Sequence, residues 1–131
     1  MPQELPLDEV AAAACEAVIG GVDRTQVSRL LEVLEGSKNV DVVLAFLAKQ
    51  VGRGYWKDHK SASRLFDILK NRDLEAARTI LGIFKWLYEA GGERDREKEK
   101  KKKEKLQKLK PSRPAKRNFY YDYVNACLEE V

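Results

Sequence analysis

LEAARTILGIFKWLYEA, residues Leu74 to Ala90, decides the fold class. Leu74, Ala77, Ile80, Leu81, Phe84, Leu87 and Tyr88 recur at steps of three and four, the period of one helical face and not the alternation of a strand. Asn71 or Asp73 can cap this helix, and Gly91-Gly92 stops it. Working back toward the N-terminus, the same period returns. Ala62, Leu65, Phe66 and Leu69 mark a helix over Ser61 to Lys70. Val40, Val43, Leu44, Leu47 and Val51 mark another, capped by Asn39 or Asp41 and ended at Gly52 or Gly54. Its Ala45, Phe46 and Ala48 widen the apolar surface, which predicts a central position for it. Val27, Leu30, Leu31 and Leu34 form the stripe of a helix from Arg24 to Glu35, with Asp23 and Gln26 spaced as a capping box and Gly36 beyond its end. Before it, Asp8 can cap a helix from Glu9 to Ile19, whose Ala11 to Ala14 suit close packing. No stretch alternates long enough to argue a strand. The expected fold is all-α, a compact bundle of about five helices.

Beyond Gly91 the composition changes abruptly. Residues Gly91 to Arg117 hold 9 Lys and 4 Arg against 5 acidic residues, a net charge of +8, so the whole-chain charge of +4 leaves −4 for the remainder. The expected organisation is a helical bundle over residues 1–90, a basic arm or linker over 91–117, and an amphipathic helix over 118–131. Within the arm, Glu97/Lys101, Glu99/Lys103 and Glu104/Lys108 favour a helix, while like charges four apart oppose it and only Leu106 and Leu109 can pack. A frayed, solvated helix is the expectation, about 27 Å long if fully formed. Pro111 and Pro114 end it. Phe119, Tyr123, Val124, Cys127 and Leu128 then share one helical face, which must dock on the body or on a partner.

At 131 residues the chain allows one domain. Its longest apolar run, Val42 to Ala48, is far short of the ~20 residues that cross a bilayer, and the Met-Pro-Gln-Glu start has no basic n-region, so a cytoplasmic protein without membrane contact is expected. Cys15 and Cys127 lie on apolar helix faces, where buried free thiols are usual, with an intramolecular disulfide as the alternative. One His and two scattered Cys assemble no zinc spacing, and neither metal nor cofactor is expected. No phosphate-cradling glycine loop or nucleophile elbow is present, and His59 has no context naming a nucleophile or orienting acid. These gaps argue against an enzyme.

Charge argues for a polyanion partner, either RNA or single-stranded nucleic acid. Lys49, Arg53, Lys57, Lys60 and Arg64 cluster in a body with no basic excess, and Lys101, Lys102 and Lys103 mark the densest part of the arm. The bland reading of both sets is a solvated polar face. Tyr55 and Trp56, in the glycine-punctuated loop between Gly54 and Lys60, either stack on bases or staple the loop to the core. Trp86 reads as core or as subunit interface.

Two resemblances sharpen this. AVIGGVDRTQVSRLL, Ala17 to Leu31, resembles the helix-turn-helix of bacterial repressors, with Ala17, Gly21, Val22, Val27, Ser28 and Arg29 at the spacing of A-x-x-x-G-V-x-x-x-x-V-S-R. Glu16 and Gly20 depart from it. That likeness implies DNA reading by Arg24, Thr25, Gln26 and Arg29. More broadly, Thr25-Gln-Val-Ser-Arg29, then Leu44-Ala-Phe-Leu-Ala-Lys-Gln-Val-Gly-Arg-Gly54, then Arg64-Leu-Phe-Asp-Ile-Leu69 and Phe84-Lys-Trp-Leu-Tyr-Glu-Ala90 follow the order of elements in the small helical subunit of type III CRISPR effector complexes. The chain is similar to that family over about residues 25–90, with Thr25 and Gln26 adjacent and no late histidine. The resemblance implies a non-catalytic, all-α subunit of an antiviral ribonucleoprotein. It would lie along a guide–target RNA duplex beside other protein subunits, copies of itself included, with Lys49 and Arg53 as phosphate contacts. A third reading is a protein-interaction adaptor whose terminal helix seats in a partner's groove.

Overall fold

The computed structural model describes residues 4–92 and 96–129, Arg96 by its backbone only. Seven helices follow one another: α1 (Leu7–Ile19), α2 (Arg24–Ser37), α3 (Val40–Gly52), α4 (His59–Leu69), α5 (Leu74–Gly91), α6 (Arg96–Gln107) and α7 (Phe119–Leu128). No strand occurs among the described residues, so the protein is all-α.

The centre of the bundle is α1, not α3. Every side chain from Val10 to Cys15 is fully buried, because a helix of alanines is thin enough for α4, α5 and α7 all to close around it. By contrast α3 packs chiefly against α2 and α4 and leaves Val42, Ala45 and Ala48 in solvent. Apolar content favoured α3; side-chain size decided for α1, since neighbours surround most closely the helix with least bulk. At the end of α1 the approach is closer still. A Cβ on Gly20 would fall 2.6 Å from Cβ of Asp58, the residue that caps α4, so glycine is required where the repressor pattern has a helix former.

The caps follow sequence chemistry with one exchange. Asn39 accepts from the backbone N–H of Asp41 at 2.9 Å, Asp58 from that of Ser61 at 2.8 Å, and Asp73 from that of Ala76 at 2.8 Å. Asp8, expected to cap α1, lies inside a helix that already begins at Leu7, and its carboxylate caps α7 instead. It accepts from Tyr120 N–H at 2.9 Å and Asn118 N–H at 3.2 Å, which fastens the last helix to the first. The capping box at Asp23 does not form, since Gln26 turns inward to Gln50. Helix α2 also runs past Gly36 to Ser37 and is closed by Lys38 in the left-handed region (φ 56°).

The charged arm is docked. Helix α6 is about 18 Å long, and Leu106 is its anchor, fully buried, with its carbonyl accepting from Cys15 Sγ at 3.7 Å. Lys102 is buried beside it, Leu109 packs half-buried, and Lys105 pairs with Glu129 beyond α7. A frayed, fully solvated helix is therefore corrected to one that rests on the body along a narrow apolar seam. Helix α7 packs on α1 through Phe119, Tyr123 and Ala126, and Tyr123 Oη donates to the Leu87 carbonyl at 2.6 Å. Gly91 remains helical at the end of α5, and the space where its Cβ would stand is filled by Tyr123 Oη, with Val18 and Leu106 close by. The terminal helix, expected over residues 118–131, is shorter: it ends at Leu128, with Glu129 already extended (φ −71°, ψ 142°), and residues 130–131 lie outside the described residues.

Candidate nucleic-acid interface

Cations of the body divide sharply by partner. Arg24 pairs with Glu89 at 3.5 Å, Lys38 with Glu35, Lys70 with Asp67, Arg78 with Glu35 at 2.5 Å and Lys85 with Glu89, while Arg72 donates to the Ile68 carbonyl. Arg64 is held most tightly. Its guanidinium lies between Glu16, 2.7 Å from Nε, and Glu9, 2.8 Å from Nη1, at 2 % exposure. Burial opposes its charge, yet the bonds to Glu16 and Glu9 prevail and raise its pKa. Arg64 is thus removed from the candidate phosphate contacts, because a buried cation neutralised by two carboxylates ties α4 to α1 and has no field left for an external anion.

The remaining body cations are Arg29, Lys49, Arg53, Lys57 and Lys60. All five are exposed, and none has an acidic partner among the described residues. Three of them, Arg29, Lys49 and Arg53, lie together. The two-residue link Lys38-Asn39 makes α2 and α3 an antiparallel hairpin, and a buried hydrogen bond of 2.6 Å from Gln50 Nε2 to Gln26 Oε1 sets the start of α2 against the end of α3. Arg29 stands three residues beyond Gln26, and Arg53 three beyond Gln50. Each is turned about 60° from its glutamine, and in antiparallel helices these turns lead to one side. Thr25 and Lys49, each one residue before its glutamine, turn the same way, and all four are exposed. Thr25 and Arg29 from one of the rival sites that the sequence offered, and Lys49 and Arg53 from the other, thus share a single face.

The loop from Arg53 to Asp58 extends that face toward α4. Gly54 supplies a positive φ of 79°, and the backbone N–H groups of Tyr55 and Trp56 both donate to the Gln50 carbonyl, at 2.9 and 3.0 Å, folding the loop back over the end of α3. The two aromatics then part. Trp56 is buried, stacks on Phe84 with ring centroids 6.4 Å apart, and donates from Nε1 to Ser61 Oγ at 3.0 Å, so it is the staple. Tyr55 stands 52 % exposed between Arg53 and Lys57.

The other nominated residues fare unevenly. Of the arm lysines, Lys101 is exposed and unpaired among the described residues, Lys102 is buried, and Lys103 reaches Glu99 at 4.0 Å. Lys102 is thereby corrected from a phosphate contact to part of the packing seam. Gln26 cannot read bases, because its amide is buried against Gln50; Arg24 is engaged by Glu89. Trp86, 72 % exposed, is not core. A cleft of about 630 Å³ between the ends of α1 and α5 and the starts of α2 and α6 presents Asp23, Glu89 and Glu99 beside Arg24 and Lys103, a balance unsuited to a polyanion.

Both cysteines are free thiols. Burial, with a smaller contribution from Glu16, pushes Cys15 up to about 12, and burial raises Cys127 against the opposing effects of Tyr123, Lys102 and Lys105. Among the described residues no three His, Cys, Asp or Glu side chains group as metal ligands. No helix of the described chain is long and apolar enough to cross a membrane. No protein-family model, curated protein or solved structure matches this chain.

Proposed function

We propose that this chain is a non-catalytic nucleic-acid-binding subunit of a ribonucleoprotein complex, similar to the small helical subunit of type III CRISPR effectors. The observation that carries the reading is the division of the body's cations. Those used for structure are paired, and five have no acidic partner among the described residues: Arg29, Lys49 and Arg53 on one side of the α2–α3 hairpin, Lys57 in the following loop and Lys60 at the start of α4. Unpaired cations held close together repel one another and are favoured where an anion neutralises them. The mechanism is backbone neutralisation with release of counterions, sequence being read by the guide strand and not by this chain. Exposed lysines of α6, Lys101 among them, add a weaker basic surface on another side of the bundle.

Each phosphate neutralised contributes roughly 0.7 to 0.9 to the slope of log affinity against log salt. The full chain is expected to bind RNA with a steep slope, and glutamine at Arg29, Lys49, Arg53, Lys57 and Lys60 together should lower it by about 3.5 to 4.5. Binding that ignores salt, or a quintuple variant that binds as the parent does, overturns the reading. A selection from random DNA duplexes that returned one motif, lost in Arg29→Ala, would favour the repressor-like alternative.

A further inference from the structure

We infer that the nucleic acid taken by this face is single-stranded, and that one unpaired base stacks on the ring of Tyr55. The inference rests on the backbone-binding reading above and adds a base contact to it. Tyr55 differs from the chain's other exposed aromatics in what surrounds it. Phe66 is covered by the Lys70 ammonium, 5.8 Å from its ring centre, and the Tyr121 ring packs edge-on against Tyr120. Trp86 lies on α5 beside Lys85 and Glu89, which pair with each other. The Tyr55 ring meets no other ring and no cation, and its hydroxyl has no hydrogen-bond partner among the described residues. Along the chain it stands between Arg53 and Lys57, two of the five cations without an acidic partner among the described residues.

Its position is also fixed without use of its own side chain. The backbone on both sides is tied to the Gln50 carbonyl, Gly54 makes the turn, and neighbouring Trp56 is locked in the core. A ring that contributes so little to packing is presented by a loop that spends a buried tryptophan and three backbone constraints on holding its shape. Arg53 and Lys57, two residues to either side, have Cα atoms within about 7 Å of that of Tyr55. A phosphodiester strand crossing the face can therefore meet a cation before the ring and another after it. Aromatic stacking with flanking cations is the chemistry that engages unpaired bases irrespective of sequence, whereas the bases of a duplex are already stacked and offer no open face. A guide or target strand would then be held where it leaves its duplex.

The test compares three probes at one moderate salt concentration, each titrated with the full chain by fluorescence anisotropy: a labelled oligouridine 12-mer, its abasic counterpart with the same number of phosphates, and a blunt RNA duplex. The parent is expected to prefer oligouridine over the abasic strand by roughly tenfold or more. Tyr55→Ala should erase that preference and leave abasic affinity unchanged, and Tyr55→Phe should keep it. Near-ultraviolet circular dichroism from Trp56 checks that the loop stays folded. Equal affinity of parent and Tyr55→Ala for oligouridine, or duplex bound as tightly as oligouridine, overturns the stacking inference while salt-dependent backbone binding stands. Failure of the parent to bind any of the three overturns both.

Discussion

The five cations spread over α2, α3, the loop after it and the start of α4, and the lysines of α6, are alike in composition and opposite in circumstance. Among the described residues no acid neutralises Arg29, Lys49, Arg53, Lys57 or Lys60, although the surrounding body has no basic excess. In α6 the density of lysine is far greater, yet Lys102 is buried, Lys103 and Lys105 are paired, and the helix is fixed by Leu106. Density of charge along a chain therefore says little about charge available to a partner. Availability depends on which acids the fold brings near, and Glu9, Glu16 and Glu129 are brought from far away in sequence.

The comparison breaks most visibly at Arg64, which the sequence places in the cluster and the fold removes from it. Arg64→Ala leaves Glu9 and Glu16 facing each other across a vacated buried site, and chemical denaturation is expected to show a loss of about 3–5 kcal/mol. Lys49→Ala should change stability by no more than about 0.5 kcal/mol, since an exposed unpaired side chain contributes almost nothing to the fold. Equal effects would mean that paired and unpaired cations are not the distinct groups described here.

A second test addresses the seam under α6. Cys15 ionises near 9.0 in the unfolded chain and near 12 when buried, so the native state retains a proton that the unfolded state releases. The stabilisation is fully present below pH 9 and is lost as pH rises from 9 toward 12, by an amount on the order of 4 kcal/mol. Burial likewise raises Tyr88 and Tyr123, which act in the same direction. Unfolding free energy measured across pH 8–11 should fall more steeply in the parent than in Cys15→Ala. Parallel profiles would show that the thiol is not enclosed by α6 and α7.

A smaller effect is expected at Asp8. Its alanine variant removes the carboxylate that caps α7, at about 0.5–2 kcal/mol, and hydrogen exchange should quicken in residues 118–123 before it does in α1. Uniform quickening, or none, would deny that Asp8 fastens the last helix to the first.

Much of the fold was legible because local rules were obeyed. The α5 stripe, the glycine stop after α1 and the caps at Asn39 and Asp73 each depend on residues a few positions apart. What escaped depends on residues far apart. The central place of α1 follows from the smallness of its side chains relative to every other helix, a comparison that no single window contains. Gln26 and Gln50 each look like solvent-facing residues until the hairpin sets them together. Leu106 is one leucine in a run of lysines, yet it decides where the arm rests. At the candidate interface, the segment from Lys49 to Lys60 was readable as a basic stretch with an aromatic pair. The membership of Arg29, the loss of Arg64 and the separate fates of Tyr55 and Trp56 were not, because each is settled by a tertiary partner or its absence.

The central claim is that the availability of cations, and not their number, sets nucleic-acid binding. It is tested most directly by the salt dependence of RNA affinity in two variants of the full chain, one with Lys49, Arg53, Lys57 and Lys60 changed to Gln, the other with Lys101, Lys102, Lys103 and Lys105 changed to Gln. Four charges are removed in each. The face variant is expected to lower the slope by about 3, and the arm variant to lower it by about 1, the share of Lys101, which is exposed and unpaired among the described residues. Equal reductions, or a larger one in the arm variant, would contradict it.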